Sequence, residues 1–433
     1  MSTPIPSPSS PDSPTPVPSP SPSPWPHVLR AAAALAAGMG VGRFVYTAIL
    51  PLMHAQAGLS AAAGADLATA NYVGYLVGAL AGILAPALVR SRAVLRGSLL
   101  VLTATLAAMP LTHGVGGWLV LRLVAGAASA LVFVVAVSSV LHHLRERPPH
   151  LPGSAFGGVG TGIALSGLLV LALRSVADWR AAWWASAALT AVLAGAAWNL
   201  RPEAAPEAPA AVRARPRPRT HRWFGTLLVS YSLEGVGYIV AGTFLVAAIG
   251  QDSPGWVGNG AWVLVGLAAV PSAAVWAWLG RRWSRPDLLL AALLVQAVGI
   301  ALPALVGGTA AALVSAVLFG GTFIGISTLA LATGAHLRFP RSVALLTAGY
   351  SVGQIVGPLA VAPLLQHGYR GALLLAAGVV LVAASAAAVL RIGFPHHMLV
   401  VRHQEDTRHT DGVRRPEPTR DDGPDTVAPH PAG

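Results

Sequence analysis

The chain has 433 residues, of which 54% are hydrophobic and only 10% are charged. A soluble globular chain has about 25% charged residues, so this composition excludes a soluble protein and predicts an integral membrane protein. The net charge of +12 comes entirely from arginine, because the sequence contains no lysine. The absence of cysteine excludes disulfides, thiolate catalysis and cysteine metal sites.

The two ends of the chain have the composition of disordered tails. Residues 1–27 are dominated by Pro and Ser, and residues 392–433 are polar, charged and rich in Pro. The N-terminal segment lacks the basic start and short apolar run of a signal peptide, so the first apolar span is expected to be retained. The histidines of the C-terminal tail form no ligand-like cluster, and we expect neither a metal nor a cofactor.

Between the tails, apolar runs of bilayer length predict twelve transmembrane helices. The first six are predicted over 28–53, 66–89, 94–112, 117–141, 153–173 and 180–200. The second six are predicted over 223–249, 256–279, 287–306, 310–336, 343–366 and 371–390. A basic segment rich in Pro and Ala, 201–222, is predicted to link two six-helix bundles, 28–200 and 223–391. The fold class is therefore predicted to be all-α and integral to the membrane.

The positions of the arginines predict the orientation. They concentrate in alternate loops, in the linker and in the C-terminal tail, whereas the opposite loops contain only Arg174, Arg180 and Arg370. By the positive-inside rule, both termini are expected on the cytoplasmic side of the plasma membrane. This distribution explains the basic charge without nucleic acid as a partner.

Arg43 lies inside the first predicted span, far from either end. A charge at that depth costs at least ~2.5 kcal/mol, so its side chain is expected to face the protein interior or a wet cavity. Gly38, Gly40 and Gly42 precede it at alternate positions and allow a neighbour to approach the backbone. Two interpretations stay open: the arginine fixes helix packing through backbone carbonyls, or it lines a path for solute. The second is favoured.

Helix depth suggests which residues accompany Arg43. It is ten residues from the outer end of its span, or ~15 Å at 1.5 Å per residue. Side chains at comparable depth predict a substrate-binding patch of Arg43, Tyr46, Asn71 and Tyr75. The candidates in the second half are Tyr238, Asn259, Thr322 and Gln354. Each of these residues, taken alone, is equally consistent with an interhelical hydrogen bond.

Glu234 is the only carboxylate that lies deep in a predicted span. It is eleven residues past Trp223, or ~16 Å along the helix, and therefore near the middle of the bilayer. A carboxyl group at that depth can carry a proton in alternating access, or it can form a structural ion pair with an arginine of the other half. Both interpretations place it at a cavity rather than against lipid.

Several motifs resemble those of the major facilitator superfamily. Arg122, one turn before Gly126, resembles the fourth-helix motif in which the arginine is tied to proton coupling. The glycines of residues 157–162 loosely resemble the antiporter motif, although its usual Pro is missing. Residues 42–53, 70–79, 230–238 and 320–326 are similar to helices one, two, seven and ten of the YbfB/YjiJ-like branch. The resemblance covers essentially every span and implies the major facilitator fold, a transporter and a monomer, but no particular substrate.

The resulting hypothesis is a secondary transporter that moves a small organic solute, anionic or amphipathic, by alternating access with proton coupling. Arg43 would engage the solute, and Glu234 and Arg122 would couple proton movement. The alternative is a non-transporting polytopic membrane sensor or scaffold. We expect no enzyme, because no clustered catalytic chemistry appears, and the glycines before Arg43 lack the preceding strand of a dinucleotide-binding loop.

Overall fold

The structure is a computed structural model that describes residues 23–144, 150–202 and 220–395. Residues 1–22 and 396–433 of the predicted tails and residues 203–219 of the predicted linker lie outside these ranges. All regular secondary structure in the described ranges is helical. The predicted all-α membrane class is confirmed.

Within residues 23–144 and 150–202, the first half contains eight α-helices. The first span is divided into α1 (Trp25–Leu35), a π-helical segment (Ala36–Val41) and α2 (Val45–Ala57). The following helices are α3 (Ala61–Leu84), the short α4 (Pro86–Val89), α5 (Arg92–Ala108) with a 3-10 turn (Met109–Leu111), α6 (Val115–His143), α7 (His150–Leu173) and α8 (Trp179–Ala197).

The second half contains six long helices. They are α9 (His221–Asp252), α10 (Gly255–Leu279), α11 (Arg285–Leu305), α12 (Gly308–His336), α13 (Ser342–Val361) with a 3-10 turn (Leu364–His367), and α14 (Arg370–Leu390). In the described ranges, 11 segments are long and apolar enough to cross a membrane. With α8, which has 19 residues, they correspond to the twelve predicted spans.

Several predicted boundaries were wrong for identifiable reasons. The second span begins at Ala61 rather than residue 66, because the Ser60 hydroxyl accepts a hydrogen bond from the Ala63 N–H and caps the helix. It ends at Leu84, since Pro86 disfavours helical backbone in the residue before it. The first helix begins at Trp25, inside the predicted tail, and Pro26 in its first turn suits a helix start.

Glycines bring α3 and α6 into backbone contact. A Cβ added at Gly74 would lie 1.9 Å from the Leu123 carbonyl oxygen, and one at Gly126 would lie 2.0 Å from the Asn71 carbonyl oxygen. No side chain fits at either position. The close approach lets residues of α3 reach the backbone of α6.

The two halves contact each other mainly through three pairs of long helices: α7 with α10, α3 with α13, and α2 with α9. The other part of the first span, α1, packs against α6, α7 and α8 of its own half. The C-terminus of α2 lies at one end of the molecule, which we call the Gly58 end. The N-termini of α1 and α9 lie at the opposite end, which we call the linker end. Within the first span, it is therefore α2, the part nearer the Gly58 end, that contacts the other half.

Candidate functional site

The centre of the molecule is organised by an interruption in the first span. The π-helical segment Ala36–Val41 is followed by a turn at residues 42–44, and α2 starts at Val45. A Cβ at Gly40 would lie 2.5 Å from the Cα of Gly162 on α7, so the glycines admit a neighbouring backbone here, as predicted. The prediction of one continuous helix over 28–53 was wrong, because the glycines before Arg43 interrupt the α-helix.

Helix α6 supplies the hydrogen bonds that the interrupted span lacks. The carbonyls of Gly42 and Arg43 precede α2 and lie outside its hydrogen-bond ladder. Arg122 donates from Nη1 to the Gly42 oxygen at 3.4 Å and from Nη2 to the Arg43 oxygen at 3.3 Å. The Ser129 hydroxyl donates to the Gly38 carbonyl at 2.6 Å. The sequence left open that Arg43 fixes helix packing through backbone carbonyls. In the structure Arg122 makes such contacts.

Arg43 lies against aromatic rings and keeps free donors. Its side chain is 3% exposed, and its Cζ lies 4.5 Å from the ring centroid of Tyr75, 4.9 Å from that of Tyr72 and 5.2 Å from that of Phe44. Its Nε and Nη2 have no hydrogen-bond partner. Cation–π contacts leave the in-plane N–H groups of a guanidinium available, so this buried arginine can still bind an anion.

The patch predicted around Arg43 divides into two groups. Tyr75 contacts Arg43, whereas Tyr46 and Asn71 contact Arg122: the Tyr46 ring lies 4.8 Å from its Cζ, and the Asn71 amide donates to its carbonyl at 2.9 Å. The Tyr46 hydroxyl donates to the carbonyl of Gly64 at 2.8 Å. These two residues therefore support the arginine that holds the interrupted span.

Tyr72 is a contact of Arg43 that the predicted patch omitted. Its hydroxyl lies 2.7 Å from the Thr243 hydroxyl on α9, and Tyr72 is the donor because Thr243 donates to Ile239. A single side chain thus contacts Arg43 and joins the two halves. The available sequence signal was its position three residues before Tyr75, which places both on one helix face.

Aromatic side chains of the second half surround Phe44 and Tyr238. The Tyr238 ring stacks on Phe323 at 5.4 Å, on Phe319 at 5.8 Å and on Tyr350 at 5.9 Å. Phe44, next to Arg43, meets the rings of Tyr238, Phe323 and Trp262 edge-on. We call this group the aromatic cluster; it consists of Phe44, Tyr238, Trp262, Phe319, Phe323 and Tyr350.

Glu234 is fully buried on α9, one turn before Tyr238. Neither of its carboxylate oxygens has a hydrogen-bond partner, and the same holds for the side-chain amide of Gln296, which faces it from α11. The ion pair with an arginine of the other half, considered from the sequence, is not made by Glu234 in this conformation. Glu234 therefore lies in the interior of the second half, one helical turn from Tyr238 of the aromatic cluster.

The other predicted residues of the second half differ in their hydrogen bonding. Gln354 on α13 and Asn259 on α10 are buried, and each has a side-chain oxygen without a partner. The Thr322 hydroxyl donates within its own helix, to the carbonyls of Leu318 and Phe319. Thr322 is therefore satisfied locally, whereas Gln354 and Asn259 retain an acceptor.

A chain of hydrogen bonds closes the Gly58 end across the two halves. The Tyr369 hydroxyl lies 3.0 Å from Nε2 of His54, whose Nδ1 contacts the Leu59 carbonyl. The Tyr369 N–H donates to the Gln251 side chain at 3.1 Å. The Leu59 carbonyl can only accept, so Nδ1 donates to it, and Nε2 is left to pair with the Tyr369 hydroxyl. Burial raises the pKa of Tyr369 to about 12, so its hydroxyl keeps the proton that it donates.

A match to one protein-family model identifies the family of this chain. The family model described as "Uncharacterised MFS-type transporter YbfB" matches residues 35–388, which is most of the chain. The chain belongs to the YbfB family of MFS-type transporters. The resemblance stated from the sequence is confirmed, as is the expectation that the protein is not an enzyme. Among curated proteins, none matches the chain.

Solved structures show the fold of this YbfB-family protein. A crystal structure of a mutant of the nucleoside transporter NupG is similar with a TM-score of 0.64 and 13% identity, over 84% of this chain and 99% of that one. An inward-facing, occupied structure of a bacterial homolog of the human lysosomal transporter Spinster gives 0.64 and 14%, over 86% of this chain and 98% of that one. At these identities the similarity confirms the major facilitator fold.

Replacing either of the two buried arginines by Gln is expected to change the melting temperature differently. Arg122→Gln leaves the Gly42 and Arg43 carbonyls unpaired, at ~1–3 kcal/mol each, so the melting temperature of the purified protein should fall. Arg43→Gln loses cation–π contacts of up to ~2 kcal/mol but removes an unpaired buried charge that costs several kcal/mol. Its melting temperature should be unchanged or higher. Equal losses in both variants would contradict these assignments.

Proposed function

We propose that this YbfB-family protein is a secondary transporter that moves a small organic anion by alternating access, coupled to protons. The observation that carries the proposal is the guanidinium of Arg43, which is buried among Tyr72, Tyr75 and Phe44 with two donor atoms unpaired. A buried charge with unused donors is costly and marks a functional position in a membrane protein. A carboxylate or phosphate group would satisfy these donors.

The remaining proposed binding residues suit the rest of an amphipathic solute. Tyr75 contacts Arg43 directly, Tyr238 contacts the neighbouring Phe44, and the Gln354 oxygen offers an acceptor. Tyr46 and Asn71 act behind them by fixing Arg122. The aromatic cluster favours an apolar or planar body, since ligand sites combine apolar surface with few polar groups.

The contacts between the halves support alternating access. The halves are joined beside α2 and by the His54–Tyr369 hydrogen bond, both toward the Gly58 end. With the termini on the cytoplasmic side of the plasma membrane, as the arginine distribution favours, these contacts would close the outer end of the solute path. Rocking of the halves about Arg43 would require these contacts to break, including Tyr72–Thr243.

Glu234 is proposed as the proton carrier. A carboxyl group buried without a counter-charge is accommodated best in its neutral form, so ionising it requires water or a positive charge to arrive. Tyr238 lies between Glu234 on its own helix and Phe44 beside Arg43. Arg122 would take part in coupling through the Arg43 carbonyl that it binds, because movement of the interrupted span displaces both arginines.

Binding is tested first with the purified protein. In a thermal-shift screen against small organic acids and their neutral amides, we expect acids with an apolar or aromatic body to raise the melting temperature and their amides to have little effect. Arg43→Gln should weaken the affinity for any acid found at least about tenfold, since a charge-assisted hydrogen bond contributes ~1.5–3 kcal/mol. Stabilisation by acids and amides alike, or retained affinity in Arg43→Gln, would reject the anion site.

Coupling is tested in proteoliposomes with an acid found in this way. Glu234→Gln should abolish uptake driven by a pH gradient while leaving exchange of labelled for unlabelled solute, because the amide cannot carry a proton. Asp66→Asn, a carboxylate near the Gly58 end, serves as the matched control and should behave as the wild type. Uptake driven by the pH gradient at the wild-type rate in Glu234→Gln would overturn the role of this residue.

A further inference from the structure

A groove lies between α9 and α14 at the linker end, far along α9 from the aromatic cluster. Its volume is about 460 Å³, and it is lined by side chains from the first turns of α9 and the last turn of α14. His221 and Arg222 stand at one end of it, near Val389, and Val229 stands at the other. Nothing in the transport cycle described above uses this groove.

The apolar part of the groove is built to stay open toward the lipid. A Cβ added at Gly225 would meet no heavy atom within 4 Å, so the helix surface there is not covered by protein. Val229 and Val389 are 53% and 55% exposed, although both belong to helices long and apolar enough to cross a membrane. In the bilayer such exposure is exposure to acyl chains, and the furrow between the two helices can hold one of them.

The other end of the groove is basic and lies where a helix leaves the membrane. The Arg222 guanidinium stacks on the ring of Trp223 with its Cζ 4.0 Å from the centroid. Trp is enriched at the membrane interface, where its ring lies at the level of the headgroups. His221 is exposed, and its ring meets Phe339 edge-on at 5.3 Å. The two residues place a cation and a second donor beside the mouth of the groove.

We propose that this groove binds one anionic phospholipid, with its phosphate at Arg222 and His221 and one acyl chain along Gly225, Val229 and Val389. Charge complementarity selects the headgroup, because basic pockets between transmembrane helices attract anionic lipids. The apolar furrow selects a lipid over a free anion, which would contact only the basic end. The proposal is independent of the solute and of the coupling proposed above.

Native mass spectrometry of the full chain, purified with equal amounts of phosphatidylglycerol and phosphatidylethanolamine, tests the charge. We expect one phosphatidylglycerol retained per chain in preference to phosphatidylethanolamine. Arg222→Gln should lower its retention about fivefold, the effect of one basic residue near an anionic membrane. Arg282→Gln is the matched control, since Arg282 faces Trp278 at the same end of the molecule but outside the groove. Equal losses in the two variants, or no preference for the anionic lipid, would overturn the proposal.

A second variant tests the groove itself without changing charge. Gly225→Leu fills the open position and should reduce phosphatidylglycerol retention at least as much as Arg222→Gln. Gly195→Leu, at an equally open position near the linker end of α8, should leave it unchanged. Inorganic phosphate in large excess should not displace the lipid. Undiminished binding in Gly225→Leu, or displacement by phosphate, would show an anion contact at Arg222 without a lipid groove and would contradict the proposal.

Discussion

The two hydrogen bonds from Arg122 to the carbonyls of Gly42 and Arg43 are the interaction on which the centre of this protein depends. In hydrocarbon each backbone polar group must find a partner inside the protein, so an interrupted helix is tolerated only where other groups complete it. Arg122 does so from α6, and Asn71 and Tyr46 fix Arg122 in turn. Arg43 lies in the turn that interrupts the span, so this turn determines the direction of its side chain.

The fold and the buried charges could be predicted from the sequence because lipid imposes simple constraints. Apolar runs of bilayer length gave the helices, and the cost of a charge in hydrocarbon placed Arg43 and Glu234 inside the protein, where both are found. Gly38, Gly40 and Gly42 were expected to admit a neighbouring backbone, and Gly40 lies against Gly162 of α7. The family resemblance implied the major facilitator fold, which the family match and the solved structures then confirmed.

The partners of the buried groups could not be predicted, because depth along a helix does not define its rotation or its neighbours. Tyr46 and Tyr75 lie at suitable depths, yet Tyr46 contacts Arg122 and Tyr75 contacts Arg43. An ion pair of Glu234 with an arginine of the other half was considered, and Glu234 faces Gln296 on α11. The π-helical segment was not predicted either, because α-helical and π-helical segments of apolar residues have the same hydropathy.

The account rests on Arg43 reaching water during the transport cycle, and the natural absence of cysteine allows a direct measurement. In Arg43→Cys the single thiol should react in sealed vesicles with a membrane-impermeant thiol reagent, because the reactive thiolate forms only where water enters. Val192→Cys, on a surface 71% exposed outside the protein core, should stay unlabelled in lipid. Labelling of Arg43→Cys from at least one side is the predicted result. No labelling from either side would contradict a solute path through this site.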